Sequence, residues 1–298
     1  MRITRLGLVV CLGIGLCSGQ DLRGVIDFHA HSDPDSVPRS IDAIDLAKLA
    51  KSRGMRGLVL KNHYEPTASL AYITRKQVPG IEVFGGIALN RSVGGINPAA
   101  VDRMARAKGG WGRVVWMPTF DAENQVRDSK ESRPFVAVVG NGALLPEVLE
   151  VLDLIAKHGL VLATGHSAPM ESLMLVKEAR KRGIEKILVT HGMIPPVRMT
   201  GAQMRELSAL GAKVEFVYNA LVGSTKVFEP AEYVKAIRDL GPENCVLTSD
   251  LGQPGNPLHP DGFQSFLKLL SDSGFSSREL DVMSKENPAR LLGLPAAR

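Results

Sequence analysis

The stretch Val25-Ile26-Asp27-Phe28-His29-Ala30-His31-Ser32 decides how the chain is read. Apolar residues run straight into two histidines spaced by one residue. On a β-strand, residues i and i+2 point to the same face, so His29 and His31 aim their imidazoles at one spot. Two imidazoles converging at the end of a buried strand begin a metal site. Alone the pair is a weak signal, and the rest of the chain must supply the other corners.

Outward from this stretch, strand-like and helix-like runs alternate from residue 23 onward. Strands are expected at 25–28, 57–60, 81–89, 114–117, 160–163, 186–189, 213–217 and 246–248. Helices are expected at 40–53, 67–76, 98–108, 144–158, 171–182, 200–210, 230–240, 262–273, 276–283 and 287–292, with Ser40 capping the first. The strands are mainly Val, Ile and Leu without polar alternation, which suits a parallel sheet buried on both faces. Strands alternating with helices predict right-handed βαβ units. Eight such units in 298 residues predict an α/β fold, a closed (β/α)8 TIM barrel, with an open doubly wound sheet as the alternative. No Gly-x-Gly-x-x-Gly follows the first strand, so a dinucleotide fold gains no support. After the fourth strand the rhythm stretches. Residues 121–134 are polar and charged, then 135–139 lead into Gly140-Asn141-Gly142, so a small insertion with a hairpin is expected there.

The N-terminus reads as separate from this fold. Arg2 and Arg5 flank the start of an apolar run, residues 6–16, too short for a membrane span of about 20 residues. It fits a secretory signal peptide over 1–19, leaving 20–298 as a single barrel domain with no membrane span. The implied address is exported, periplasmic or secreted. An uncleaved N-terminal membrane anchor, or lipidation at Cys17, is the alternative. Cleavage takes the formal charge from +5 to +3 and removes Cys11 and Cys17. Cys245 then has no partner for an intramolecular disulfide and reads as a small core residue. With 5% aromatic residues and no block of like charges, the mild basicity argues for a solvated surface and against a nucleic-acid partner.

In a barrel of this kind the active site lies at the C-terminal ends of the strands. Spacing tests this. From His31 to Lys61 is 30 residues, then 29 to Asn90 and 27 to Met117; from His166 to His191 is 25, and from there to Asp250 is 59, about two units. So His29, His31, Lys61, His63, Asn90, His166, His191 and Asp250 all fall at or just past strand ends. His158 ends a helix on the opposite rim and reads as a helix-end residue aided by the dipole. His259 reads as a solvated loop histidine. Glycines at 85–86 and 94–95 read as tight turns, or as places where backbone approaches a ligand. Arg39 and Arg91 share the active rim and are candidates for binding a carboxylate.

His29, His31, His166, His191 and Asp250 together make a ligand set for a divalent metal, one ion or two, with zinc the expected ion. Such a metal would activate a water for attack on an electrophilic carbon. Asp250 would take the proton and pass it to the leaving group. A small-molecule substrate is implied, and the oligomeric state is left open.

These residues resemble the amidohydrolase superfamily of metal-dependent hydrolases. The resemblance rests on His29-Ala30-His31 after the first strand, His166 after the fifth, His191 after the sixth and Asp250 after the eighth. The closing stretch Asn287-Pro288-Ala289-Arg290-Leu291-Leu292-Gly293-Leu294 also matches. The resemblance implies hydrolysis of an amide, ester or related bond. The same cage would also suit a decarboxylase or lactonase, and a non-catalytic ligand-binding barrel is the reading from another class. One departure stands out. Two-metal members carry a bridging carboxylated lysine or glutamate after strand four, whereas here that strand ends Trp116-Met117-Pro118. Lys61 and His63 after strand two either help hold a second metal or bind an anionic substrate group. Asp27 is expected to orient His29.

Overall fold

The computed structural model describes residues 21–295; the expected signal peptide, with Cys11 and Cys17, lies outside them. Eight parallel strands form one sheet: β1 (Ile26–Ala30), β2 (Gly57–Leu60), β3 (Glu82–Ala88), β4 (Gly112–Trp116), β7 (Val161–Ala163), β8 (Ile187–Val189), β9 (Lys213–Val217) and β10 (Cys245–Thr248). Neighbours in sequence are neighbours in the sheet. The ends meet just beyond the strands, where the Asp250 N–H donates to the His29 carbonyl at 2.8 Å and the His31 N–H to the Leu251 carbonyl at 3.0 Å. The sheet therefore returns on itself through residues that carry the candidate chemistry. The expected TIM barrel is observed.

Helices follow the strands: α1 (Ala43–Ser52), α2 (Ala68–Gln77), α3 (Pro98–Ala105), α4 (Glu123–Asp128), α5 (Pro146–His158), α6 (Pro169–Lys181), α7 (Gly201–Ala209), α8 (Pro230–Leu240), α9 (His259–Asp272), α10 (Ser277–Asp281) and α11 (Asn287–Leu292). The cap of α1 is Asp42, not the expected Ser40; its carboxylate accepts from the Ile44 and Asp45 N–H groups. Between β4 and β7 lie the short helix α4 and a two-residue antiparallel hairpin, β5 (Val139–Gly140) and β6 (Ala143–Leu144). Asn141 and Gly142, both at positive φ, turn that hairpin.

Two apolar layers hold the barrel. One lies between strands and helices. The other fills the barrel interior with Ile26, Phe28, Val59, Phe84, Val114, Trp116, Leu188 and Val246, among others. Ala289, Leu291 and Leu292 of α11 join that interior layer, which places α11 against the foot of the barrel. Asn287 fastens it there, its side-chain amide donating to the carbonyls of Glu243 (3.0 Å) and Cys245 (2.8 Å).

Gly85 and Gly86 lie inside β3 and make no turn. A Cβ on Gly86 would stand 2.1 Å from the Val114 carbonyl oxygen and 2.5 Å from the Trp116 ring. The glycine is what lets β4 and its indole pack so closely.

Candidate metal centre

Every residue expected at the site is buried at the C-terminal ends of the strands. His29 comes from β1 and His31 from just beyond it. Nε2 of His29 lies 3.0 Å from Oδ1 of Asp250, and Nε2 of His31 lies 3.0 Å from the same oxygen. Their ligand atoms lie within 4.8 Å of one another. His191 stacks on His29 with ring centroids 6.0 Å apart, and His166 sits 5.0 Å from His191. Two of the group hold strained backbones: His191 at φ +25° and Asp250 at φ +51°.

The surroundings fix which nitrogen faces inward. Nδ1 of His29 is 3.1 Å from Oε1 of Glu215, and Nδ1 of His166 is 2.8 Å from Oε1 of Gln125. Both oxygens can only accept, so each Nδ1 donates and each Nε2 is turned to the centre, that of His29 facing Asp250 Oδ1 and the Lys61 ammonium. Burial holds His31 and His166 well below the usual histidine range and takes His191 down to about 4. Neutral imidazoles are what a metal requires. Asp250 is charged: burial opposes its ionisation, but His29 and His31 outweigh burial and hold it well below the usual carboxylate range. His29 is the exception: burial and the Lys61 ammonium oppose its protonation, but Asp250 and Glu215 outweigh them and hold it above the usual histidine range, so it would give up a proton on binding a metal. Three neutral imidazoles, His29, a charged carboxylate and oriented outer partners fit a divalent ion.

Glu215, in the middle of β9, is the functional residue that the sequence reading missed. Besides His29, it accepts from the Thr248 hydroxyl (3.1 Å) and the His191 N–H (3.0 Å), so one carboxylate braces two of the expected ligands. A lone acid inside the run Lys213-Val214-Glu215-Phe216-Val217 was the available signal. Asp27 does not touch the His29 ring; it accepts from the backbone N–H groups of His29 (3.3 Å) and Ser249 (2.9 Å), tying β1 to β10.

Lys61 reaches in from the end of β2, its Nζ 2.9 Å from Nε2 of His29 and 5.7 Å from the Trp116 ring centroid. Burial brings it down to about 8, against the pull of Asp250 and Glu215. β4 ends at Trp116, whose indole is buried in the interior layer 6.4 Å from the His29 ring. Nδ1 of His63 lies 2.9 Å from the Thr119 hydroxyl. Asn90 serves the loops: its amide donates to the His63 carbonyl and the Thr119 hydroxyl, both at 2.7 Å, and accepts from the Thr119 and Asp121 N–H groups.

Arg39 is engaged by Asp35 at 2.6 Å, and Arg91 is exposed. His158 pairs with Asp102 of α3 at 3.0 Å. His259 is not solvated; it opens α9 fully buried, and burial pushes it down to about 4.

Fold and site together define a (β/α)8 barrel with a histidine–carboxylate cluster at the C-terminal ends of its strands. The chain belongs to DUF6282, a family of unknown function whose model matches residues 24–215. That match takes in every site residue except Asp250. No curated protein matches the chain in sequence. Among solved structures, a phosphotriesterase homology protein from Escherichia coli, complexed with phosphate in its active site, is 18% identical with a TM-score of 0.60 over 91% of this chain and 99% of that one. A variant of a lactonase from Deinococcus radiodurans is 16% identical, with a TM-score of 0.61 over 92% and 97%. An amidohydrolase from Burkholderia multivorans with bound HEPES is 14% identical, with a TM-score of 0.60 over 91% and 99%. At these identities the likeness is one of fold, and it agrees with the amidohydrolase resemblance.

Proposed function

We propose that this chain is an exported metal-dependent hydrolase acting on an amide, ester, lactone or related bond of a small molecule. One observation carries the reading: Nε2 atoms of His29 and His31 meet on Oδ1 of Asp250 at the open end of the barrel. His29, His31, His166, His191 and Asp250 would hold the ion, with zinc as the expected metal and one or two ions bound. When bound, such an ion supplies Lewis acidity and acidifies water.

The remaining work falls to the chain itself. Glu215 and Gln125 hold His29 and His166 in the tautomer that presents Nε2. Among the described residues Oδ2 of Asp250 meets only the Asn219 amide, at 3.5 Å, which leaves it free to take a proton from water and return it to the leaving group. The ammonium of Lys61 provides positive charge for an anionic group on the substrate. The lactonase and amidohydrolase among the structural relatives support the choice of bond. The run at 6–16 after Arg2 and Arg5 supports export.

The test is metal analysis of the chain purified with zinc supplied, alongside His191→Ala and Asp250→Asn, followed by a screen of amides, esters, lactones and phosphoesters. Bound zinc lost in both variants, with turnover of one substrate class, is the expected result. A wild-type chain that takes up no divalent ion refutes the reading.

A further inference from the structure

His63 is clamped face to face. Its ring stacks on His31 at 4.9 Å and 23° on one side and on Phe120 at 3.9 Å and 19° on the other. This column runs from the buried cluster out to Phe120, which is 36% exposed. With both faces covered, the ring acts through its edges.

A proton count assigns those edges. Oδ1 of Asn90 accepts from the N–H groups of Thr119 (2.9 Å) and Asp121 (3.1 Å), which fixes the orientation of the amide. Nδ2 of Asn90 must then donate to the Thr119 hydroxyl at 2.7 Å. If that hydroxyl also accepted from His63, its own hydrogen would have no acceptor among the described residues, so it donates to Nδ1 of His63, at 2.9 Å. A ring nitrogen that accepts carries no proton, so the ring is neutral. A neutral imidazole that accepts at Nδ1 carries its proton on Nε2. His29 and His166 show the reverse assignment, because Glu215 and Gln125 accept from their Nδ1 atoms.

We infer that His63 is a hydrogen-bond donor through Nε2–H, not a metal ligand, and that with Lys61 it receives an anionic oxygen of the substrate, a carboxylate or phosphoryl group. This deepens the proposed function and rests on the cluster being a small-molecule site. An N–H donor and an ammonium away from bulk water hold an anionic oxygen more strongly than exposed groups would. The wall beside them is aromatic, Phe120 with Tyr64 at 6.4 Å. The substrate class is therefore a small anionic molecule.

Long-range 15N–1H correlation NMR reads ring tautomers directly in the metal-free wild-type chain, the His63 signals being identified by their loss in His63→Gln. The expected result is Nε2–H for His63 and Nδ1–H for His166; Nδ1–H on His63 overturns the inference. Zinc stoichiometry should be the same in His63→Gln as in wild type, and loss of one equivalent overturns it. Inorganic phosphate is the binding probe, read by calorimetry. His63→Ala should weaken it about 10-fold, with partial recovery in His63→Gln, which keeps a donor. No phosphate binding by wild type, or equal binding by His63→Ala, overturns the anion-binding role. A chain that takes up no zinc refutes the metal reading, while the tautomer spectrum still decides this one.

Discussion

Gln125 of α4 holds the ring of His166 through a 2.8 Å hydrogen bond between Oε1 and Nδ1. The neighbouring Asn124 donates to the His166 carbonyl at 3.0 Å and to the Pro196 carbonyl at 3.1 Å. One short helix outside the eight-unit rhythm thus positions both the backbone and the imidazole of an expected ligand. Removing such an outer partner costs about 10–100-fold in metal affinity. Gln125→Ala should therefore weaken zinc by that range in a chelator competition. Gln125→Glu, which keeps an acceptor, should lie closer to wild type. Equal affinity in Gln125→Ala and wild type would show that the bond does not steer His166.

Glu215 is the brace between β1, β8 and β10. Truncation to alanine leaves His29 Nδ1, the Thr248 hydroxyl and the His191 N–H without their acceptor inside the barrel. Breaking a buried charged network in this way costs about 3–5 kcal/mol. Glu215→Gln keeps the shape and one acceptor oxygen, and should cost only about 1–2 kcal/mol. Urea unfolding of the metal-free chain measures both. An alanine variant as stable as wild type would remove Glu215 from the framework of the site.

The barrel was legible because its strands are short apolar runs at a steady spacing, and because the chemistry-bearing residues fall at the same point of each unit. His29, His31, His166, His191 and Asp250 could be named from that phase alone, and the structure brings them to one end of the barrel. What escaped was set by contacts across the barrel. Glu215 sits within a strand, not past its end, and its partners are 24 to 186 residues away in sequence. Asn90 has the right phase, yet its amide is occupied by the loops on either side, which spacing cannot reveal. His259 follows a Pro/Gly-rich loop and so reads as solvated, but α9 begins at that residue and buries it.

Two glycines separate the cost of space from the cost of backbone conformation. Gly86 needs no special φ but has no room, because an added methyl carbon would stand 2.1 Å from the Val114 carbonyl oxygen. Gly142, in the β5–β6 turn, has φ +76° and open space around it. Gly86→Ala must push β4 and Trp116 apart, an overpacking cost of about 1–3 kcal/mol or more. Gly142→Ala meets only the left-handed backbone penalty, about 1–2 kcal/mol. Because Trp116 lies 6.4 Å from His29, Gly86→Ala should also disturb zinc affinity, whereas Gly142→Ala should not. Melting curves with parallel zinc titrations check both halves, and zinc binding unaltered in Gly86→Ala would uncouple β3–β4 packing from the site.

Cys245 opens β10 fully buried, its thiol donating to the Gly241 carbonyl at 3.3 Å. Burial pushes the thiol up, with Glu243 adding to it, so almost none is thiolate near neutral pH. The thiolate is the reactive form, and the sulfur is also shielded from reagent by its surroundings. In the chain beginning at Gln20, this thiol should not react with an aromatic disulfide reagent under native conditions over the time in which it reacts at once in urea. Its slow native reaction should follow the opening of the barrel at the foot of β10. The Asn287 amide bonds the Cys245 carbonyl there, so Asn287→Ala should speed labelling. Rapid native labelling of wild type would place the thiol at an accessible surface and contradict the packing of α11 against β10.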